Sequence, residues 1–294
     1  MNQKREIEWG EIVAGLPTLE SVQGGNSSAK RGFVTLADGT KLFVKIGVDE
    51  YTKAWAKKEI TAYDFLTAVA YPYCPNILAR NTDETGFAID AVTLEDGWDW
   101  SNTWNEDRLA KTLEAMDSLA EIRPESKYEE LFREGMGMTD AENGWVKLVS
   151  SKVQQEYLQK TFGEHVDPAV FLELEVHQER SLAYKLKSDT LCHHDVRADN
   201  CAYNSLQHTV QLVDWNWLQM GDKGIDIASF LVHVHQNGID IRKDHQNRLD
   251  SEALHWIAGF WFDAASKPIW EGGPQDLRLK QLRSACTAFS LALR

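Results

Sequence analysis

The hydrophobic pattern changes character near Gly97, from mainly short β-type runs to mainly helical spacing. In the first ninety residues the apolar runs are short and β-type. Val34-Thr35-Leu36 and Lys41-Leu42-Phe43-Val44-Lys45-Ile46 flank Asp38-Gly39, a hairpin turn signal, because glycine accepts a positive φ at little cost. Phe87 to Val92 is a further run, and Lys53 to Ala70, rich in Ala, Lys, Glu and Leu, predicts a helix ended by Pro72 and Pro75. Beyond Gly97 the spacing turns helical. Asn105 can cap a helix whose Leu109, Leu113, Met116 and Ala120 recur on one face, with Pro124 as its stop. Residues 125–147 read as irregular and 148–162 as helical. Asp167-Pro168 opens a helix to about Leu186. Short β-type runs return at Thr190-Leu191-Cys192 and Val210-Gln211-Leu212-Val213. Helix prevails after Asp226, with Gly273-Pro274 opening the last one. No internal repeat interrupts this order. The expectation is an α+β protein of two packed units: a small β-rich lobe over residues 1–92, a hinge at 93–97, and a larger, mainly helical lobe over 98–294.

The chain's 294 residues suit one large domain or two lobes. Its 31 Lys and Arg against 45 Asp and Glu leave a net charge of −14, which argues against the basic footprint of a nucleic-acid binder. No window approaches the roughly 18 consecutive apolar residues of a membrane span. The charged opening Met1 to Glu8 has no apolar run behind it, so it does not read as a secretory signal. Cys74, Cys192, Cys201 and Cys286 form no Cys-x-x-Cys pair, and the expectation is free thiols in a cytoplasmic protein. Oligomeric state is not legible in the sequence.

The chemistry concentrates in Cys192-His193-His194-Asp195-Val196-Arg197-Ala198-Asp199-Asn200 and the following Leu212-Val213-Asp214-Trp215. Phosphoryl transfer needs a carboxylate near the acceptor hydroxyl and oxygen ligands for Mg²⁺, an ion usually held by one or two carboxylates plus phosphates. A loop followed by a hairpin can supply both. Taken singly, these residues are also ordinary turn formers.

The segment resembles the His-x-Asp-x-x-x-x-Asn catalytic loop of kinases with its following metal-binding Asp. The Asp-Trp ending resembles the aminoglycoside phosphotransferase and choline kinase-like family, whereas protein kinases carry Asp-Phe-Gly there. The resemblance spans roughly residues 20–230 and implies a bilobal protein kinase-like fold. In it Asp195 is the base or orienter of the acceptor hydroxyl, and His193 holds the loop by hydrogen bonds. Asn200 and Asp214 are the Mg²⁺ ligands. Lys45 would contact the nucleotide phosphates and pair with Glu59. Gln23-Gly24-Gly25-Asn26-Ser27-Ser28 resembles a short nucleotide loop, with Gly24, Gly25, Asn26 and Ser27 near the phosphates. The base of ATP or GTP would lie against backbone groups near Asp90, Ala91 and Val92. Gly221-Asp222-Lys223-Gly224-Ile225-Asp226-Ile227-Ala228 is similar to the family's Gly-x-x-x-x-Asp-Leu-Ala stretch, where the Asp braces the catalytic loop; Asp226 is equally able to cap a helix.

The reading is a small-molecule kinase acting on a hydroxyl of an aminoglycoside-, choline- or sugar-like acceptor. Its alternative is a catalytically inactive nucleotide-binding or scaffold protein on the same fold. Trp98, Trp100 and Trp104, with the acidic balance, leave a cationic acceptor open, although core packing accounts for tryptophans as well. His233 and His235 lie two apart and diverge on a helix, which disfavours a metal site there.

Overall fold

The computed structural model describes residues 7–22, 27–133, 138–166, 168–269 and 273–293. The chain opens with α1 (Trp9–Gly15), β1 (Glu20–Ser21), β2 (Lys30–Thr35), β3 (Lys41–Ile46), α2 (Glu50–Ala68), β4 (Ile77–Arg80) and β5 (Gly86–Asp90). A helical run follows: α3 (Glu106–Glu121), α4 (Ser126–Arg133), α5 (Gly144–Ser150), α6 (Lys152–Phe162), α7 (Ala169–Leu172) and α8 (Leu174–Ala183). Four short strands come next: β6 (Thr190–Cys192), β7 (Cys201–Asn204), β8 (Thr209–Leu212) and β9 (Gln219–Gly221). The chain ends in α9 (Lys223–Gln236), α10 (Ile241–Asp244), α11 (Ser251–Ala265) and α12 (Leu277–Ala292). Two compact units result, Met1–Ser101 with Ala198–Leu218, and Asn102–Arg197 with Gln219–Arg294. The stretch 198–218 thus groups with the strands of the first unit, although in sequence it lies inside the span expected as the helical lobe.

In the first unit five antiparallel strands run in the order β1-β2-β3-β5-β4. The pleat sends alternate residues to opposite faces. Leu42 and Val44 of β3 join Ile12, Val34, Leu36 and Ala88 in a buried cluster on one face, with Trp9 of α1 packed against it. Phe43 and Lys45 therefore take the other face, opposite Ile89 and Phe87 on β5. The helix α2 begins three residues before the expected Lys53, because Asp49 caps it by accepting the Thr52 N–H at 2.8 Å, and the Thr52 side chain answers the Asp49 N–H. It stops at Ala68, ahead of the two prolines, and Ala70 turns left-handed at φ 53°.

In the second unit Asn105 caps α3 by accepting the Arg108 N–H at 2.8 Å. The supposedly irregular stretch 125–147 contains α4 and the start of α5, and the single helix expected from Asp167 to Leu186 is two, α7 and α8. Asp167 itself lies outside the described residues. β6 pairs with β9, a strand absent from the sequence expectation. The helix α11 packs against α5, α9 and α12. Its approach to α5 is backbone-close: a β-carbon on Gly144 would stand 1.8 Å from the Gly259 carbonyl oxygen. Beside that crossing, Trp145 Nε1 donates to the His255 carbonyl at 2.7 Å, and His255 Nε2 meets His177 Nδ1 at 3.3 Å. Burial there lowers the His177 imidazole and pushes His255 down to about 3. Among the described residues no helix is long and apolar enough to cross a membrane.

Candidate active site

Lys45 sits on β3 with only 7% of its surface exposed, on the sheet face that α2 covers. A lone ammonium there would be costly, so it must be paired. Its Nζ donates to Glu59 Oε2 of α2 at 2.6 Å and to Asp214 Oδ1 at 2.7 Å. Burial opposes the Lys45 charge most strongly. The Asp214 and Glu59 carboxylates together outweigh it and leave the ammonium harder to deprotonate than usual. Glu59, 2% exposed, is pushed up to about 7, mainly by burial against the pull of Lys45. One cation between two carboxylates leaves an excess negative charge, which is the condition for one of them to serve a further cation.

Asp214 is the carboxylate open to that role, because its side chain is 30% exposed where that of Glu59 is 3%. It follows β8 and adopts φ 65°, ψ 56°, left-handed for a residue with a β-carbon, at a cost of roughly 1–2 kcal/mol. Such a conformation persists only where the surroundings hold it. Tyr63 of α2, itself buried, receives the Asp214 backbone N–H on its hydroxyl, and burial pushes that phenol well up. On the C-terminal side Trp215 Nε1 donates to the Leu212 carbonyl at 2.9 Å and meets the Tyr71 ring edge-on.

Asn200 lies in the same unit, next to Asp214 in space: the Val213 N–H donates to the Asn200 carbonyl at 3.0 Å. β7 and β8 bring this about, because the hairpin returns the chain to its starting point with Cys201 opposite Leu212. Among the described residues no group of three or more His, Cys, Asp or Glu converges into a metal cage. Mg²⁺ does not ask for one. One part-exposed carboxylate and the asparagine on the adjoining turn, with phosphate oxygens to complete the octahedron, supply the oxygen donor types that suit that ion.

His193, Asp195 and Asp226 belong to the second unit. Asp226, in the first turn of α9, accepts the backbone N–H of His193 at 3.0 Å and that of His194 at 2.8 Å. Asp222 rather than Asp226 caps the helix, accepting the Gly224 N–H at 2.8 Å. Burial pushes Asp226 up to about 6, against the two N–H groups that favour its charge. The Asp195 N–H donates to His193 Nδ1 at 3.3 Å, which puts the His193 proton on Nε2. His193 is fully buried and acts on the loop's backbone. Arg197, which sequence reading passed over, stands 3.2 Å from Asp195 Oδ1. Only its position two residues after Asp195 could have signalled it.

Of the expected nucleotide loop, Gly24, Gly25 and Asn26 lie outside the described residues, and Ser27 is half-buried. At the hinge, the Asp90 N–H donates to the Asn76 carbonyl at 3.0 Å, and the Asp90 carboxylate accepts from the Asn76 amide at 2.6 Å. Trp100 Nε1 donates to the Val92 carbonyl at 2.9 Å. Asp90, Ala91 and Val92 also line a cavity of about 440 Å³, with Tyr71, Trp98 and Gln211 among its walls.

The chain belongs to the phosphotransferase enzyme family, whose model matches residues 18–260. Its fold is protein kinase-like, with a β-sheet N-terminal region and a helical C-terminal part. Among solved structures it is similar to the choline kinase LicA from Streptococcus pneumoniae, at 13% identity and a TM-score of 0.58 over 92% of each chain. Spectinomycin phosphotransferase APH(9)-Ia in complex with ADP and spectinomycin is similar at 12% identity and a TM-score of 0.58, over 93% of this chain and 92% of that one. The Plasmodium vivax ethanolamine kinase follows at 12% identity and 0.54, over 97% and 86%. At such identities the likeness is one of fold. No curated protein matches the sequence.

Proposed function

We propose that this protein is a kinase that moves the γ-phosphate of ATP or GTP to a hydroxyl of a small-molecule acceptor. The observation that carries the reading is Lys45 clamped between Glu59 and Asp214. A buried, paired lysine beside a part-exposed carboxylate is a geometry for phosphate and metal, and more than a fold needs for stability. Lys45 binds phosphate oxygens, and Glu59 keeps its ammonium in place. Gly24, Gly25, Asn26 and Ser27 approach the phosphates, and backbone groups around Asp90, Ala91 and Val92 hold the base. The Val92 carbonyl already accepts from Trp100, which leaves it one further lone pair.

Mg²⁺ would be held by Asp214 and Asn200 and would neutralise charge on the phosphates. Asp195 accepts a hydrogen bond from the acceptor hydroxyl and takes its proton. The acceptor oxygen forms its bond to the γ-phosphorus while the bond to the nucleoside diphosphate oxygen breaks. Positioning and charge neutralisation supply most of the rate enhancement in such transfers. Asp226 and His193 brace the loop that carries Asp195. Cys74, Cys192, Cys201 and Cys286, none of them in a disulfide among the described residues, support a reducing cytoplasmic setting, and the acidic balance supports partners other than nucleic acid.

Calorimetry with ATP and GTP, with and without Mg²⁺, on wild type and Asp214→Ala tests the nucleotide half. Mg²⁺-dependent binding is expected in wild type and not in the variant. ADP release is then followed with choline, ethanolamine, streptomycin and spectinomycin as acceptors, on wild type and Asp195→Asn. The Asn variant should bind nucleotide as wild type does and transfer nothing; equal turnover would end the assignment. A well-folded wild type that binds neither nucleotide would leave the scaffold reading.

A further inference from the structure

His194 stands between His193 and Asp195, and its side chain has no part in the roles above. We infer that its imidazole is a wedge that aims Asp195, an inference that rests on the transfer role proposed for that carboxylate. The backbone of His194 is left-handed, at φ 60°, where a β-carbon crowds the neighbouring carbonyl. Asp226 grips its N–H at 2.8 Å, so the turn is held from outside. The side chain is 5% exposed. Its Nε2 lies 2.3 Å and its Cε1 2.9 Å from where a β-carbon on Gly221 would stand, so the ring rests on the bare backbone of β9. Among the described residues neither ring nitrogen has a hydrogen-bond partner. Burial also holds the ring neutral.

A side chain that neither donates, accepts nor carries charge acts through its shape. With the N–H groups of residues 193 and 194 fixed on Asp226, the left-handed turn opens only if the ring leaves Gly221. Asp195, the next residue, inherits its direction from that turn, and its own N–H closes back on His193. Gly221 is the other half of the device, because any β-carbon there would displace the ring. His194 is therefore a positioning residue, and its loss should disturb the transfer step while nucleotide binding persists.

The test compares His194→Ala, His194→Gly and His194→Asn, with Asp195→Asn beside them. ADP release from Mg·ATP is measured with the acceptor panel above or, failing turnover there, with water as acceptor. Ala and Gly should lower kcat about 10- to 100-fold, the scale of a misplaced catalytic group, with the nucleotide Kd unchanged. Asn, planar and at home in the left-handed region, should recover most of it. A Gly variant as active as wild type would show that only the backbone conformation matters and would overturn the wedge. Trypsin reads the loop without turnover: cleavage after Arg197 should be faster in the Ala and Gly variants than in wild type or Asp195→Asn. Unchanged cleavage overturns the inference whatever the kinetics. Turnover that survives in Asp195→Asn would instead remove the proposed function, and the trypsin result would still decide on the wedge. Gly221→Ala should lower Tm in the wild-type background and not in His194→Gly; equal losses in both would refute the ring-on-glycine contact.

Discussion

Lys45→Met removes the cation from between Glu59 and Asp214 and keeps most of the side chain's bulk. Breaking one side of a buried ion pair costs about 3–5 kcal/mol, because a charge is left without its partner. Two features of the structure place this case at the lower end. Asp214 is 30% exposed and keeps part of its hydration, and Glu59 already titrates at about 7, so it can take up a proton and escape the charge. The expected loss is about 3 kcal/mol. Its pH dependence has a definite sign. The folded value of Glu59 lies above its ordinary 4.5, so in wild type its contribution is full below 4.5, falls as pH rises, and levels off past about 7. Without Lys45 the folded value climbs further and the fall continues. The deficit of the variant should therefore be steady below about pH 7 and grow by up to about 1.4 kcal/mol per unit above it. Urea unfolding at about pH 6 and about pH 8, with linear extrapolation, reads both numbers. Adding Glu59→Leu to Lys45→Met removes the orphaned carboxylate and should restore most of the stability. A Met variant as stable as wild type, a deficit equal at the two pH values, or no rescue by Leu would refute the reasoning.

Two further outcomes follow from the helical unit. His255 is fully buried and its imidazole is pushed down to about 3 from 6.5, so its contribution is present above about 6.5 and lost as pH falls toward 3. His255→Leu should gain on wild type by up to about 1.4 kcal/mol per pH unit across that window, and a constant difference in acid unfolding curves would contradict it. Gly259 faces Trp145 so closely that a β-carbon would stand 2.4 Å from the indole Cδ1. Gly259→Ala should cost at least about 2 kcal/mol through displacement of α5 from α11, and a Tm equal to wild type would speak against that crossing.

β3 was legible to the residue at Lys41–Ile46, because alternation and a flanking Asp-Gly turn are local signals. The cap at Asn105 and the stop before Pro124 were legible for the same reason. The helix α4 and the first turn of α5 were not, since their short amphipathic faces are stabilised by packing that local propensity does not encode. β9 was missed because three residues carry no period of their own; the strand exists through its pairing with β6.

Residue types and their order in the site are written in the chain: a lysine in a strand, a glutamate in the next helix, the Asp and Asn loop, and the later aspartate. Spacing along the chain is a covalent fact, and motif chemistry depends on it. Which of these groups touch depends on the folded chain. It placed Lys45 within 2.7 Å of a carboxylate 169 residues away, gave Asp214 and His194 left-handed backbones, and set Asp226 under two N–H groups of the loop. These are properties of burial and non-local packing. A strained turn or a shifted carboxylate arises from what surrounds it, and those surroundings come from residues far away in the chain.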